Sequence, residues 1–168
     1  DGKQIGKRAV SMDRPADIEL VKKRLDRGAI DNNIYIVVHG KGSKFNIIHQ
    51  GQEMEMDHRY LARWIKKQGF PEDKQLVLLS CGNIETAQDV ARKAKVSIVA
   101  NDGVVKVYDN GVIEAENGFK YIDKNGNIDE SRKVLVGEQQ PAGKRPIRLG
   151  PAMPRTGSVT EIIENFGV

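Results

Sequence analysis

Two apolar runs, each ending in a reactive side chain and a glycine, constrain the fold of this chain more than any other feature. Residues 34–40 read Ile-Tyr-Ile-Val-Val-His-Gly, and residues 76–82 read Leu-Val-Leu-Leu-Ser-Cys-Gly. Short, almost continuous apolar runs are typical of parallel strands that are covered on both faces. Chemistry in open parallel sheets collects at the carboxyl ends of the strands. If the two strands are neighbours, His39 and Cys81 therefore meet at one end of the sheet.

The pattern around these runs alternates between helices and strands. The predicted elements, in chain order, are a helix over 15–27, a strand over 34–38, a short strand or hairpin arm over 44–50, a helix over 58–68, a strand over 76–80, a helix over 84–95 and a strand over 96–100. Asp57 and Asn83 are the predicted N-caps of the second and third helices, because side-chain oxygens there satisfy the first backbone N–H groups. The alternation predicts an α/β protein, with a mostly parallel sheet in a three-layer αβα arrangement.

After residue 101 the pattern changes to short strands separated by turns. Strand-like pieces at 104–108, 112–115 and 119–122 are separated by Asp-Asn-Gly and Glu-Asn-Gly, which are typical turn sequences. They predict a C-terminal antiparallel β-flap appended to the sheet. A last short helix is predicted over 158–166.

The length predicts the domain organisation. At 168 residues we expect a single domain, 1–168, with its core at about residues 8–122, beginning with a short strand near 8–12. Residues 137–157 hold four of the six prolines, which predicts an extended segment or loop. The chain begins at Asp1, without an initiator Met or an apolar signal region, so we expect a processed product or a piece of a longer polypeptide.

Composition argues against several classes of protein. The net charge is +4 and the pI about 9.1, but the basic residues are spread along the chain and aromatic residues make up only 5%. We therefore expect no nucleic-acid surface. No apolar run approaches the roughly 18 residues that a membrane helix needs. A single cysteine cannot form an internal disulfide, and three histidines without ligand spacing predict no metal site.

The residue types at the two strand ends suit acyl transfer. A thiol attacks a carbonyl only as the thiolate, and Cys81 lies where a helix begins, so the helix dipole favours its negative charge. His39 can take the proton and return it to the leaving amine. For that role the pair must face a crevice that is open to water. Gly40 offers a backbone N–H to an oxyanion, with no side chain to block the substrate.

Simpler interpretations stay open for each residue. A lone cysteine after an apolar strand is usually a small buried hydrophobic residue, and a His-Gly pair alone is a weak signal. His49 and His58 are alternative imidazoles, although surface positions are the better interpretation for both. The same dyad also suits deamidation or transglutamination, and an inactive binding module could have the same scaffold.

The two strand ends resemble the caspase-like cysteine peptidases, a clan that includes caspases, clostripain, gingipains, legumain, separase and the self-cleaving domains of bacterial toxins. The resemblance lies in Ile-Val-Val-His-Gly at 36–40 and Leu-Leu-Ser-Cys-Gly at 78–82. It implies a caspase-like, flavodoxin-like fold and an endopeptidase that forms a thioester acyl-enzyme. The implied dyad is His39 and Cys81, and the implied oxyanion hole is the N–H groups of Gly40 and Cys81.

Residues 78–83, 87–91 and 96–101 are similar to domains at the C-terminal ends of bacterial polymorphic and secreted toxins. This resemblance covers about residues 30–122. It implies a secreted bacterial toxin or effector domain, delivered into a target-cell cytoplasm as part of a larger toxin and acting in a reducing compartment. The implied substrate is a protein or peptide, either in the target cell or in the parent chain. A cognate immunity protein is an implied partner.

The chain departs from the clan in one motif, because the caspase signature Gln-Ala-Cys is absent. Relatives that cleave after basic residues have an acidic side chain in the substrate pocket. Asp102 is the substrate-binding candidate for that role, with a turn-forming Asp as the alternative. Self-cleaving toxin domains are activated by inositol hexakisphosphate in a basic cleft near a β-flap. Candidates for such a cleft, with a solvated surface as the alternative, are Lys106, Lys120, Lys124, Lys144, Arg145 and Arg148. No other cofactor and no metal are expected.

Overall fold

The structure is a computed structural model that describes residues 33–49, 52–108, 110, 112–134, 136, 147–148 and 161–163. Its elements in these residues are β1 (Asn33–Lys41), β2 (Lys44–His49), β3 (Gln52–Met56), α1 (His58–Gln68), β4 (Gln75–Leu79), α2 (Ile84–Ala94), β5 (Ile98–Asn101), β6 (Val105–Val107), β7 (Ile113–Ala115), β8 (Phe119–Ile122), β9 (Ile147–Arg148) and β10 (Glu161–Ile163).

A seven-stranded mixed sheet forms the centre of the described fold. Its strand order is β3-β2-β1-β4-β5-β8, and β10 also pairs with β1. The central strands β1, β4 and β5 are parallel to one another, whereas β8, the β2–β3 hairpin and β10 are antiparallel to their neighbours. The α/β class predicted from the sequence is confirmed. The prediction of a mostly parallel sheet was wrong, because the β2–β3 hairpin, β8 and β10 add antiparallel pairs around the three parallel strands at the centre.

Both described helices cover the same face of this sheet, which we call the helix face. Trp64 of α1 and Val90 of α2 belong to one apolar cluster with Ile36 and Leu78 of the strands. Strand β4 lies next to β1, and β5 lies next to β4 on the far side, so both crossover connections move in the same direction across the sheet. Because such crossovers are right-handed, both helices lie on one side of the sheet.

The opposite face, which we call the second face, is covered by strands in the described part of the chain. Val37 and Leu79 pack there against Val105 and Val107 of β6. Strand β6 is the centre of a small sheet of order β7-β6-β9. The helix predicted over 15–27 and the strand predicted near 8–12 lie outside the described residues, so the three-layer αβα arrangement stays a prediction.

Two predictions for the C-terminal half were wrong. Phe119–Ile122 is not part of the flap but pairs with Ile98–Asn101 as an edge strand of the main sheet. The reason is burial, because this pairing leaves Ile122 with 0% of its surface exposed. Glu161–Ile163 is a strand paired with Ile36–Val38 rather than part of a helix. Short helices are marginal in isolation, and the edge of β1 offers backbone partners instead.

The predicted ends of α1 are confirmed. Asp57 is its N-cap, and the carboxylate accepts a hydrogen bond of 2.9 Å from the backbone N–H of Arg59. Gly69 ends the helix in the left-handed conformation with φ 61°, which glycine adopts without steric cost. The end of α1 at Gly69 determines where the chain turns back toward β4, the strand that leads to Cys81.

Candidate active site

His39 lies near the end of β1, on the second face of the sheet. Side chains alternate between faces along a strand, and Tyr35 and Val37 belong to the apolar cluster of the second face. His39 follows two residues later and therefore lies on that face as well. Its side chain is buried, with 3% of the residue surface exposed.

Cys81 lies two residues after the end of β4 and one before Gly82. It belongs to the same apolar cluster as Val37 and Leu79, so its side chain is on the second face too. Only 5% of the residue surface is exposed. The sulfur of Cys81 is thus surrounded mainly by aliphatic groups.

The pairing of the two strands brings their ends together. As the sequence predicts, β1 and β4 are parallel neighbours, and Val37 is registered opposite Leu79. His39 and Cys81 are each two residues beyond that pair. A Cβ added at Gly40 would lie 2.5 Å from the carbonyl oxygen of Cys81 and would also collide with the Ser80 hydroxyl. The two chain segments are therefore in direct backbone contact, and glycine is required at position 40 for this approach.

The loop after β1 is tied to the start of α2. The backbone N–H of Asn83 donates a hydrogen bond of 3.3 Å to the carbonyl of Gly42, and the Thr86 hydroxyl donates to the same oxygen over 3.4 Å. The N–H of Gly82 donates to the carbonyl of Gly103 over 3.2 Å. Because the N–H groups of Gly82 and Asn83 already have acceptors, they are not available to an oxyanion.

The backbone of Val105 contacts the sulfur of Cys81. Its N–H donates a hydrogen bond to Sγ over 3.4 Å, and its carbonyl oxygen lies 3.8 Å from the same atom. An N–H directed at sulfur favours the thiolate, whereas a carbonyl accepts a proton from the thiol. The main chain of β6 can therefore form a hydrogen bond with Cys81 either as the thiol or as the thiolate.

The open crevice expected from the sequence is not present in the described residues. Strand β6 directs Val105 and Val107, each 0% exposed, onto the second face. These valines exclude water from the strand ends that carry His39 and Cys81. The physical reason is the alternation within β6, which leaves Lys106 between them on the outer side.

Asp102 has a structural role that the sequence did not reveal. One oxygen of its carboxylate accepts a hydrogen bond of 3.1 Å from the N–H of Ile84, the first residue of α2. The predicted cap residue, Asn83, has the extended backbone of an N-cap but its side chain makes no cap hydrogen bond. Asp102 therefore stabilises the start of the helix that follows Cys81, and its part in a substrate pocket stays a prediction.

A small cavity lies beside this helix start, and Cys81 is among the residues that line it. Its volume is ≈ 10 Å³, and its lining includes Ser80, Thr86 and Asn101. That is room for about one water molecule and too little for a substrate side chain. The Cys81 side chain itself packs on the second face, so a substrate carbonyl has to reach the sulfur there.

The cationic candidates are only partly brought together. Lys106 is registered opposite Arg148 across β6 and β9, and its ammonium lies 4.0 Å from the carboxylate of Glu114. Lys120 forms an ion pair of 2.9 Å with Glu130. Lys144 and Arg145 lie outside the described residues. Two of the candidate lysines thus already have a neighbouring carboxylate.

A larger groove of ≈ 680 Å³ lies at the amino ends of the strands, opposite to His39 and Cys81. It lies between the C-terminal ends of α1 and α2, and Lys66, Lys95 and Lys124 line it. Lysines at helix C-termini offset the partial negative charge of the helix dipole. The helix dipoles therefore account for the positive charge of Lys66 and Lys95, without an anionic ligand in the groove.

The two alternative histidines belong to other elements of the fold. His49 is the last residue of β2, registered opposite Gln52 in the β2–β3 hairpin, and His58 is the first residue of α1. Among the described residues, no group of three or more His, Cys, Asp or Glu side chains could hold a metal ion. Neither α1 nor α2 is long and apolar enough to cross a membrane.

The fold and this strand-end arrangement define an α/β domain with a histidine and a cysteine at neighbouring strand ends. The chain matches the model of DUF8616, a domain of unknown function, over residues 13–128, and it belongs to that family. The matched residues include His39, Cys81 and Asp102. No curated protein and no solved structure matches the chain.

Proposed function

We propose that this domain is a cysteine peptidase of the caspase-like type, with Cys81 as the nucleophile and His39 as the general base. The observation that carries the proposal is the parallel pairing of β1 and β4, with both residues two positions beyond the Val37–Leu79 pair. Both side chains lie on the second face, where Val105 directs an N–H at the sulfur. A histidine and a cysteine at adjacent strand ends suit nucleophilic attack on a carbonyl.

The proposed reaction proceeds in two steps. His39 takes the Cys81 proton, the sulfur bonds to the substrate carbonyl carbon, and His39 returns the proton to the leaving amine as the peptide bond breaks. Water then attacks the thioester, which releases the acid and restores the thiol. The proposed oxyanion donors are the N–H groups of Gly40 and Cys81, and loss of one such donor typically lowers the rate by ~10²–10³.

Burial of the pair adds a requirement to the proposal. A substrate carbonyl can reach Cys81 only after β6 moves away from the second face, because Val105 contacts the sulfur. We infer a domain that stays closed until a substrate or activator opens it. That property suits a toxin or effector domain that is delivered into a target cell and cleaves a target protein or its own parent chain. Inositol hexakisphosphate is one activator to test.

Cleavage and its dependence on both residues test this proposal. The protein is incubated with a peptide library and with its own inactive Cys81→Ala form, with and without inositol hexakisphosphate, and new termini are identified by mass spectrometry. We expect cleavage by the wild type and none by Cys81→Ala or His39→Ala. His58→Ala serves as the matched control and retains activity. Cleavage that survives Cys81→Ala contradicts the proposal, and a +1 Da change without chain scission indicates deamidation instead.

A non-catalytic binding module is the second candidate, and one observation favours it. Cys81 is 5% exposed and packs among aliphatic side chains, as structural cysteines do. A scaffold of this kind predicts that Cys81→Ala is folded and fully functional in partner binding. It also predicts that the folded thiol resists alkylation, whereas a peptidase requires a reactive one.

A further inference from the structure

The side chain of Asn101 connects the two segments that surround Cys81. It lies at the end of β5 with only 3% of the residue surface exposed. Its Nδ2 donates hydrogen bonds to the carbonyl of Ser80 over 3.0 Å and to the carbonyl of Gly103 over 3.1 Å. Two carbonyl acceptors require two N–H donors, so the orientation of the amide is defined by its partners.

The bond to Ser80 constrains the backbone of the proposed nucleophile. The carbonyl of Ser80 and the N–H of Cys81 belong to one planar trans peptide and point in opposite directions. Holding that carbonyl toward Asn101 therefore fixes the direction of the Cys81 N–H, which is one of the two proposed oxyanion donors.

The bond to Gly103 constrains the loop that leads to Val105. Gly103 also exchanges backbone hydrogen bonds of 3.2 and 2.8 Å with Gly82, directly after Cys81. Two residues further on, the Val105 N–H donates to the sulfur over 3.4 Å. The same amide thus contacts both the peptide that carries the Cys81 N–H, a proposed oxyanion donor, and the loop that directs the Val105 N–H at the resting sulfur.

A buried amide is costly at a position where an apolar residue could complete the core. Its Nδ2 is satisfied by these two hydrogen bonds, whereas its Oδ1 is buried without a partner among the described residues, which adds to the cost. An aspartate of the same shape would place a carboxylate against two carbonyl oxygens and would donate to neither. We therefore attribute the asparagine at position 101 to its two hydrogen bonds rather than to the shape of the side chain alone.

We infer that Asn101 is a positioning residue for the Cys81 nucleophile, because it holds the Ser80–Cys81 peptide in the direction that the proposed reaction needs and holds the Gly103–Val105 loop against the sulfur until β6 moves. This inference rests on the proposed function. The sequence contained a signal for it, because a polar Asn-Asp-Gly triplet directly follows a buried strand at residues 101–103.

Asn101→Asp and Asn101→Ala test the inference, with folding followed by circular dichroism. Two readouts are measured: the kinetics of peptide cleavage, and the pH dependence of iodoacetamide alkylation at Cys81. We expect kcat to fall about 10- to 100-fold with KM changed less than about threefold, since small misplacements in a site have effects of this size. We also expect the pH midpoint of alkylation to rise in both variants.

Asn117→Ala is the matched control. The Asn117 amide donates a hydrogen bond of 3.0 Å to the carbonyl of Asp102 in the same loop, but from an exposed position. It should leave the pH midpoint unchanged and kcat within about twofold. This control separates general loosening of the loop from loss of the contacts that Asn101 makes.

The outcomes separate this inference from the proposed function. If the wild type cleaves and its thiol is reactive but the Asn101 variants keep its kcat and pH midpoint, the positioning role is overturned alone. If neither Asn101 variant folds, the residue serves stability and the inference is likewise overturned. If the wild type neither cleaves nor reacts, the proposed function fails first and the positioning role fails with it.

Discussion

The carboxylate of Asp102 caps helix α2 by accepting a hydrogen bond of 3.1 Å from the backbone N–H of Ile84. The two residues are far apart in sequence, whereas Asn83, which directly precedes the helix, makes no cap hydrogen bond with its side chain. The start of α2 is therefore held by the turn that follows β5. The residue that follows this turn, Val105, contacts the sulfur of Cys81. The same segment therefore contacts both the start of α2 and the proposed nucleophile.

Replacing Asp102 separates its structural role from a role in substrate binding. Asp102→Ala should lower the free energy of unfolding by about 1 kcal/mol, which is typical for loss of an N-cap. Asp102→Asn keeps a cap acceptor and should be nearly as stable as the wild type. Urea unfolding measures both. If Asp102 also lines a pocket for basic residues, Asp102→Asn should reduce cleavage after Lys and Arg while stability is kept, and unchanged cleavage would limit Asp102 to the cap.

Gly40→Ala should disrupt the contact between the two strand ends. The added Cβ would lie 2.5 Å from the Cys81 carbonyl oxygen and against the Ser80 hydroxyl, so the chain has to shift. A shift of this kind displaces Cys81 relative to His39, and we expect peptide cleavage to fall about 100-fold. The loss should be seen in kcat at a protein concentration and temperature where circular dichroism shows a folded domain. Full activity in a folded Gly40→Ala protein would show that the close approach is not needed.

Ser80→Ala serves as a contrasting substitution at the same contact. The Ser80 hydroxyl is buried and has no hydrogen-bond partner among the described residues. Removing an unsatisfied buried hydroxyl is nearly neutral or stabilising, because the side chain loses a polar group that gained nothing on folding. Thermal unfolding should give a Tm equal to or above that of the wild type, and cleavage should stay within about threefold. A large fall in Tm would reveal a partner for this hydroxyl outside the described residues.

The contribution of Asp57 to the free energy of unfolding should decrease at acidic pH. Hydrogen bonds from the Arg59 side chain lower the pKa of Asp57 from 3.8 to about 2, with a further bond from the Arg59 backbone N–H. Because the folded pKa is below the unfolded one, this stabilisation is complete above about pH 4 and is lost as the pH falls toward 2. Asp57→Asn keeps a cap oxygen but no charge. Urea unfolding between pH 2 and 5 should show a shallower decline for this variant, and equal slopes would contradict the assignment.

The sequence predicted those elements whose signals are local. Apolar runs defined β1 and β4, and Asp57 and Gly69 marked the ends of α1. Strand β3, with the sequence Gln-Glu-Met-Glu-Met, was missed because its residues are mostly polar and its strand character comes from pairing with β2. Strand β10 was predicted as a helix, because only the edge of β1 makes three residues of that segment a strand.

The candidate site was predictable in its residues but not in its surroundings. The ends of two buried strands identified His39 and Cys81, since parallel strands present their carboxyl ends together. Burial of the pair by β6 depends on how a separate small sheet packs, and no local pattern encodes that contact. The cap from Asp102 and the bond from Asn101 to Ser80 were missed for the same reason, because their partners lie about twenty residues away in the sequence.

The pH dependence of Cys81 alkylation in the folded protein tests the pairing of His39 and Cys81 most directly. Iodoacetamide is added to the wild type and to His39→Gln between pH 5 and 10, and intact-mass spectrometry gives the rate. A thiol paired with His39 should react near neutral pH, below the midpoint of about 8.5 for a free cysteine, and His39→Gln should move that midpoint upward. A thiol that stays inert in the folded wild type even with inositol hexakisphosphate or a peptide substrate present, or a midpoint that does not depend on His39, would contradict the account.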